Sequence, residues 1–472
     1  MSSGLEFGGE ALEARVSDKA TEPAMIEAAV TGSEAPAPGE AAPEALTPDQ
    51  PVRQPRHFAG FDGLRAIAAV SVLLLHTAWV SGFTLRSSLG AYTSRLDIGV
   101  SVFFLISGFL LYRPFAISHL AATDAPNTRR FFERRLLRIL PAYWLALTVL
   151  TYGFHAVTLG AGWQGFAAHY LLLQIYFPTQ IVDGITQAWS LCTEMSFYLF
   201  LPAYAALLRL GRRSARSQLR RELAGVVVLA GISFAFRWWA LNLPITTMRG
   251  GKEVGVCAPN CATHPAYASL LVGWLPAYLD LFALGMLLAI TSAWFTNHGT
   301  EPTWLGHRLM PWVSWACAAA LFILVSHVVT THEILYLLSP RVNLERQTLY
   351  GLFAFFLLVP AVFGPQDRSF VRRLLRWWPM ASLGVISYGI YLWHIDLITE
   401  LLKWTGWQPG AEPYWVLASL VLLLSIAFAS VSYFGLERPI LRFKAGLGWW
   451  DRKARPDTPQ TADGGGHAGP VS

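Results

Sequence analysis

Charged side chains are scarce in this sequence. Asp, Glu, Lys and Arg make up only 14% of the 472 residues, whereas 54% are hydrophobic. A soluble domain has about 25% charged residues, so this composition excludes an ordinary soluble protein. The charge is missing from continuous stretches of roughly 18 to 23 residues, the length that a helix needs to cross a bilayer. These stretches do not alternate between apolar and polar residues as the strands of a membrane β-barrel do.

Cysteine is also rare, with four residues in the chain. Cys192 and Cys317 fall inside apolar stretches, where cysteine acts as a small hydrophobic residue. Cys257 and Cys261 lie four residues apart in one loop, and a local disulfide or a pair of free thiols fits this spacing equally well. A zinc site would need two more ligands, and only His264 is near, so we predict no metal site.

Ten apolar stretches are typical of membrane-spanning helices, because a backbone in lipid must satisfy its own hydrogen bonds. The predicted spans are residues 64–83, 97–117, 136–155, 188–208, 222–243, 268–292, 311–331, 346–363, 380–402 and 414–436. A shorter stretch, 163–178, is predicted to lie at the outer interface or to re-enter the membrane. If it crossed, the six arginines of 209–221 would lie outside, against the positive-inside rule.

Basic residues are divided unevenly between the two sides. The net charge is +6 and the pI about 9.2, but Lys and Arg cluster in the loops of one side, which favours membrane orientation over nucleic acid binding. The other side has six: Arg86, Arg95, Arg249, Lys252, Arg341 and Lys403. We expect the basic side to face the cytoplasm and both termini to lie on that side. We interpret residues 1–56 and 445–472 as disordered cytoplasmic tails around a membrane domain at 57–444.

The first span contains Arg65 and His76, and ionisable residues inside a membrane are candidates for function. Eleven residues along a helix return to within about 20° of the same face. Both side chains should therefore face one channel, about 16 Å apart along the helix axis. The alternative for His76 is a histidine packed against a neighbouring helix.

Two other spans place polar groups on one helical face. Glu194 lies five residues inside the fourth span, and Ser190 precedes it by one turn. Tyr391 and His394 belong to a polar stripe on the otherwise apolar ninth span. Counted from the outer ends of the spans, His76, Glu194 and His394 should all lie about 8 to 12 Å below the outer surface.

The third span begins with Arg135 and Arg138, three residues apart on one face. Guanidinium groups suit phosphate, so this pair, with Arg65, could hold a phosphorylated donor at the cytoplasmic mouth. Ordinary anchoring at the membrane surface is the alternative.

In order along the chain, six segments resemble the landmarks of the acyltransferase 3 family, the membrane O-acyltransferases of the O-antigen acetylase type. They are FDGLRAIAAVSVLLLH, GVSVFFLISGFLLYRPF, RRLLRILPAYW, WSLCTEMSFYL, ISYGIYLWH and FGLERPI, within about residues 58–442. The resemblance matches Arg65 and His76 to the family's first helix, Arg135 and Arg138 to its R-x-x-R element, Glu194 to its W-S-L-x-x-E element, and Tyr391 to His394 to its Y-L-W-H element.

This resemblance implies a bacterial plasma membrane enzyme with acyl-CoA, expected to be acetyl-CoA, as cytoplasmic donor. The acceptor is expected to be a hydroxyl, usually on a sugar. One departure concerns Ser101, where many members have an acidic residue, so a role of that acid in activating the acceptor is in doubt. Some members add an extracytoplasmic hydrolase-like domain. Only a short tail follows Phe443 here, so acceptor recognition is expected from the helices and outer loops.

Together these observations predict an all-α membrane protein, a bundle of about ten transmembrane helices around one polar channel. We expect a membrane O-acyltransferase in which Arg65, Arg135 and Arg138 bind acyl-CoA and His76 is the general base. Glu194 is expected to orient His76 or to bind the acceptor, and Ser190, Tyr391 and His394 to contact substrates. A transporter that uses the same buried groups as a relay is the main alternative, and a non-catalytic family member is another.

Overall fold

The structure, a computed structural model, describes residues 58–160, 162–178, 180–181, 183–211, 214–243, 246–249, 252–256, 270–299, 301–328, 339–366, 368–410 and 412–447. The predicted N-terminal tail, the C-terminal tail beyond residue 447, and Cys257, Cys261 and His264 lie outside the described residues. Of the other two cysteines, both free, Cys192 is buried and Cys317 half-buried.

The described chain is built almost entirely from helices. They are α1 (Gly60–Val80), α2 (Phe83–Arg86), α3 (Gly90–Thr93), α4 (Ile98–Leu120), α5 (Thr128–Thr148), α6 (Gly162–Tyr170), α7 (Trp189–Arg209), α8 (Ala215–Leu241), α9 (Leu279–His298), α10 (Met310–Val328), α11 (Pro340–Val362), α12 (Phe370–Arg376), α13 (Trp378–Thr405), α14 (Tyr414–Ser432) and α15 (Arg438–Leu447). π-helical turns at Val149–Gly153 and Tyr433–Glu437 continue α5 and α14, and 3₁₀ turns cover Gln174–Tyr176, Thr186–Ala188, Leu275–Tyr278 and Thr303–Gly306. Strands β1 (Thr246–Arg249) and β2 (Lys252–Val256) form a short antiparallel hairpin, in which Thr246 pairs with Val256 and Arg249 with Lys252.

Each of the ten predicted spans corresponds to one long helix, which confirms an all-α membrane protein apart from the hairpin. The sixth predicted span, 268–292, is interrupted, because residues 270 and 271 are helical but a turn at 272–274 precedes the 3₁₀ turn Leu275–Tyr278 that leads into α9. Pro276 in that turn suits the start of a helix, where its missing N–H is not needed. Helix α6 has nine residues, about 14 Å at 1.5 Å per residue, and is too short to cross a bilayer.

Within the described residues, nine helices are long and apolar enough to cross a membrane, and α11 is the predicted span that is not among them. The polar side chains in the first half of α11 belong to a buried hydrogen-bond network with α8 and α9. Asn343 accepts a hydrogen bond from Arg237, and the Gln347 amide donates to Asp280 Oδ1 at 3.1 Å. Ser233 Oγ donates to the same carboxylate oxygen at 2.9 Å. Polar partners on α8 and α9 therefore compensate the polar face of α11.

Helix α4 lies at the centre of the bundle, where it packs against α1, α7, α8, α9 and α11. Its crossing with α9 is close enough to require glycine on both helices. A Cβ on Gly108 would lie 2.3 Å from the Phe282 carbonyl oxygen, and a Cβ on Gly285 would lie 2.2 Å from that of Leu105. Small residues permit this approach, which holds α4 against the helices that line the cavities described below.

Arg372 on α12 closes the C-terminal end of α11. The side chain is fully buried, and its guanidinium donates to the carbonyl oxygens of Pro360 at 3.1 Å, Phe363 at 2.8 Å and Leu305 at 3.2 Å. The last carbonyls of a helix have no partner within the helix. One arginine therefore ties α11, α12 and the turn before α10 together.

Replacing Arg372 with methionine is expected to destabilise the folded protein by about 3 kcal/mol or more, because three buried carbonyl groups lose charged donors. The midpoint temperature of thermal unfolding in detergent measures this loss. Arg373→Met is the matched control, since Arg373 is exposed on the same helix. Equal midpoints for the two variants would contradict the structural role of Arg372.

Candidate functional site

An inner cavity collects the three predicted phosphate-binding arginines. Arg65 comes from α1, and Arg135 and Arg138 come from α5, where their spacing of three residues places both on one face. Arg65 Nη1 donates to Asp62 Oδ1 at 2.8 Å one turn earlier, which fixes its direction. The other lining residues come from α4, α7 and α13; they include Phe103, Ser107, Leu110, Ser190, Glu194, Tyr198, Ser387, Tyr388 and Tyr391.

The inner cavity is positively charged. Its described lining holds three guanidinium groups and one carboxylate, that of Glu194. The three arginines are close enough to repel one another electrostatically, and such a cluster is unfavourable in a partly desolvated site unless an anion occupies it. The arrangement therefore suits a ligand with several negative charges, such as a phosphorylated cofactor.

Glu194 is held in place by two hydroxyl groups. Ser107 Oγ on α4 donates to Glu194 Oε1, and Tyr198 Oη donates to the same oxygen at 2.8 Å. The carboxylate also interacts electrostatically with Arg135. Glu194 thus connects α4 and α7 and balances part of the arginine charge.

An outer cavity contains His76. Its lining comes from α1, from α4 and the segment before it, from α7 and the 3₁₀ turn before it, and from α11 and α13. It includes Val72, Trp79, Arg95, Asp97, Val100, Gln187, Trp189, Arg346, Tyr391 and Ile395. Trp79 and Trp189 provide flat apolar surfaces beside charged groups, a combination of aromatic and polar groups that is common in small-molecule sites.

His76 and His394 form a directly bonded pair. His394 Nδ1 lies 2.7 Å from the Tyr391 carbonyl oxygen, so it carries a proton and leaves Nε2 as an acceptor. His76 Nδ1 lies 2.9 Å from the Val72 carbonyl oxygen and 3.2 Å from His394 Nε2. Both neighbours accept, so the network assigns the proton to His76 Nδ1. The unprotonated Nε2 of His76 is then available to accept a proton.

A thin wall separates the two cavities. Val100 and Tyr391 line both, and Phe103 packs edge-on against Tyr391 with 5.7 Å between ring centroids. The Tyr391 hydroxyl lies 2.8 Å from Ser190 Oγ and 3.2 Å from the Gln187 carbonyl oxygen. The predicted single channel is therefore divided into two neighbouring cavities that meet at side chains of α4, α7 and α13.

The predicted site residues divide between the two cavities. The structure brings His76 and His394 together in one, and Arg65, Arg135, Arg138 and Glu194 together in the other, with Ser190 and Tyr391 at the wall. Glu194 lines the cavity of the arginines, whereas Trp189, five residues earlier on the same helix, lines the cavity of His76.

Four further candidates were not predicted as site residues. Ser107 and Tyr198 hold Glu194, although the sequence suggested only close packing for Ser107 and a match to the family's element for Tyr198. Asp97 and Arg346 line the outer cavity, but they lie near helix ends, where charged residues are ordinary. No group of three His, Cys, Asp or Glu side chains that could hold a metal ion occurs within the described ranges.

The fold and the two cavities define a multi-pass membrane protein with a cluster of three arginines on one side of a central wall and a hydrogen-bonded pair of histidines on the other. The chain belongs to the acyltransferase 3 family, since the family model described as an acyltransferase domain matches residues 58–434.

Three relatives illustrate the range of this similarity. The O-acetyltransferase OatA of Staphylococcus aureus is 24% identical over 411 residues, which are 83% of this chain and 58% of OatA. Acyltransferase MdmB of Streptomyces mycarofaciens is 25% identical over 408 residues, 80% of this chain and 90% of MdmB. YrhL of Bacillus subtilis, provisionally named a peptidoglycan O-acetyltransferase, is 27% identical over 401 residues, 82% of this chain and 55% of YrhL. This chain thus spans little more than half the length of OatA and YrhL. No solved structure matches the chain.

Proposed function

We propose that this membrane acyltransferase transfers an acyl group, expected to be acetyl, from cytoplasmic acyl-CoA to a hydroxyl of a carbohydrate or glycosylated acceptor outside the cell. The observation that carries this proposal is the pair of cavities that share a wall, with three guanidinium groups on one side and an available imidazole nitrogen on the other. The names of OatA and YrhL support an acetyl group, and that of YrhL supports a glycan acceptor.

The donor enters the inner cavity. Arg135 and Arg138 bind the phosphates of coenzyme A, with Arg65 deeper along the same surface, because guanidinium groups form charge-assisted hydrogen bonds with phosphate oxygens. Glu194 keeps Arg135 directed into the cavity and is a positioning residue in this arrangement. The pantetheine arm then extends toward the wall at Tyr391.

The chemistry takes place at His76. Its Nε2 takes the proton of the acceptor hydroxyl while the hydroxyl oxygen forms a bond to the thioester carbon. The carbon–sulfur bond then breaks, and the proton passes from His76 to the leaving thiolate, so that coenzyme A leaves as the free thiol. His394 fixes the tautomer of His76 through its acceptor nitrogen, as the third group of a catalytic triad does. The thioester must pass the Val100–Tyr391 wall, so this wall opens when both substrates are bound.

The orientation follows from the basic residues. The R-x-x-R pair and the arginines of 209–221 belong to the basic side, which the positive-inside rule places in the cytoplasm of a bacterial plasma membrane. Both termini are then cytoplasmic. The outer cavity, with His76, opens to the opposite side.

Sealed vesicles of defined orientation test this function. Acetyl-CoA with a radiolabelled acetyl group is supplied on the side of Arg135, and a mixture of oligosaccharides on the side of His76. We expect labelled ester on the His76 side and free coenzyme A on the other, and neither product when the two substrates exchange sides. Movement of a solute without release of coenzyme A would contradict the enzyme and favour a transporter.

A further inference from the structure

The outer cavity contains one carboxylate among its described lining residues, that of Asp97. Asp97 immediately precedes α4 and lines the cavity together with His76. The carboxylate and the His76 ring interact electrostatically.

The Asp97 side chain is held by a neighbouring helix rather than by its own. An aspartate at the N-cap of a helix commonly accepts a hydrogen bond from the amide of the second or third residue, but Asp97 makes no such bond. Its Oδ1 instead accepts a hydrogen bond from the Tyr350 hydroxyl on α11. Tyr350 is itself buried, so this bond fixes the direction of the carboxylate at the edge of the cavity.

The other groups around His76 cannot balance a positive charge on it. His394 from α13 is a neutral acceptor in the network, and Arg95 and Arg346, from the segment before α4 and from α11, carry like charges. These two arginines also interact electrostatically with Tyr350, so they lie beside the Tyr350–Asp97 pair. Among the described lining residues, Asp97 is therefore the group whose charge favours an imidazolium at His76.

We propose that Asp97 is a positioning residue that stabilises the protonated form of His76 while the acceptor hydroxyl attacks the thioester. This proposal rests on the proposed function. The proton moves from the hydroxyl to His76 Nε2 and later to the coenzyme A thiolate, and Asp97 takes no part in this transfer. Tyr350 holds Asp97 in place and moderates its charge through the hydrogen bond to Oδ1.

The pH profile of kcat/KM for the acceptor tests this role. Without the negative charge of Asp97, the proton leaves His76 at lower pH. Asp97→Asn is therefore expected to shift the acid limb of the kcat/KM profile to lower pH by about one unit. The weaker base lowers kcat by about tenfold at neutral pH, with KM for the acceptor unchanged. Asp97→Glu keeps the charge and is expected to restore the wild-type limb.

Tyr350→Phe provides a second, opposite test that does not depend on the folding of the Asp97 variants. It removes the donor from Oδ1, so more negative charge faces His76 and the acid limb is expected to move to higher pH. The proposal would be overturned if the pH profiles of Asp97→Asn and Tyr350→Phe coincided. It would also be overturned if Asp97→Asn raised only the KM for the acceptor, because Asp97 would then bind the acceptor. If the His76→Ala variant stays active, the proposed function itself fails. If that variant is inactive while the profiles coincide, only the role of Asp97 fails.

Discussion

Replacing His76 with alanine is expected to lower the rate of acyl transfer by about 10²- to 10⁴-fold, the range that a general base contributes. The hydroxyl proton would then have no acceptor at Nε2, while the arginines of the inner cavity keep their geometry. Binding of acyl-CoA should therefore change little. Labelled ester formed in sealed vesicles measures the rate, and equilibrium binding of labelled acyl-CoA measures the donor affinity.

His327→Ala is the matched control for this variant. His327 also lies in a long apolar helix, and its Nε2 makes one hydrogen bond to the Tyr92 hydroxyl at 3.1 Å. It lines neither cavity, so its removal should leave the rate unchanged. Added imidazole should restore part of the activity of His76→Ala, because the outer cavity can admit a small base. A fully active His76→Ala protein would remove this histidine from the chemistry.

Much of the bundle and part of the site could be predicted because membranes make sequence patterns simple. Lipid forces each apolar stretch into a helix, and a helix then fixes which residues share a face. That reasoning placed Arg65 and His76 toward a shared interior from one helix, and it selected Tyr391 and His394 from an otherwise apolar one. The structure adds the contacts between helices, such as the 3.2 Å between His76 Nδ1 and His394 Nε2.

The remaining features depend on where helices begin and on what they contact. Glu194 and His76 line different cavities although the sequence favours one shared channel, because the contacts between helices decide which cavity a side chain lines. Helix α11 is not apolar enough to be among the nine helices that could cross a membrane. Its polar side chains are nevertheless buried against Arg237 and Asp280. The wall at Val100 and Tyr391 was missed because it arises from packing between three helices.

Replacing Arg135 and Arg138 together with glutamine is expected to raise the KM for acyl-CoA by about 10²-fold or more. Each lost hydrogen bond between a guanidinium and a phosphate contributes about 1.5 to 3 kcal/mol, and tenfold corresponds to about 1.4 kcal/mol. The rate at saturating donor should fall much less, because His76 and His394 lie in the other cavity. Initial rates at increasing donor concentration in vesicles separate the two effects.

The neighbouring Arg134 provides the matched control, since it is exposed and does not line the cavity. Arg134→Gln removes one positive charge from the same helix, half of the charge lost in the double variant, so an effect of surface charge in general would already be visible in it. A second comparison uses acyl-pantetheine, which carries the thioester without the phosphates. Because Arg135 and Arg138 are proposed to bind the phosphates, their replacement should not weaken the use of this short donor any further. An equal loss with both donors would mean that the arginines support the fold of the inner cavity rather than bind coenzyme A.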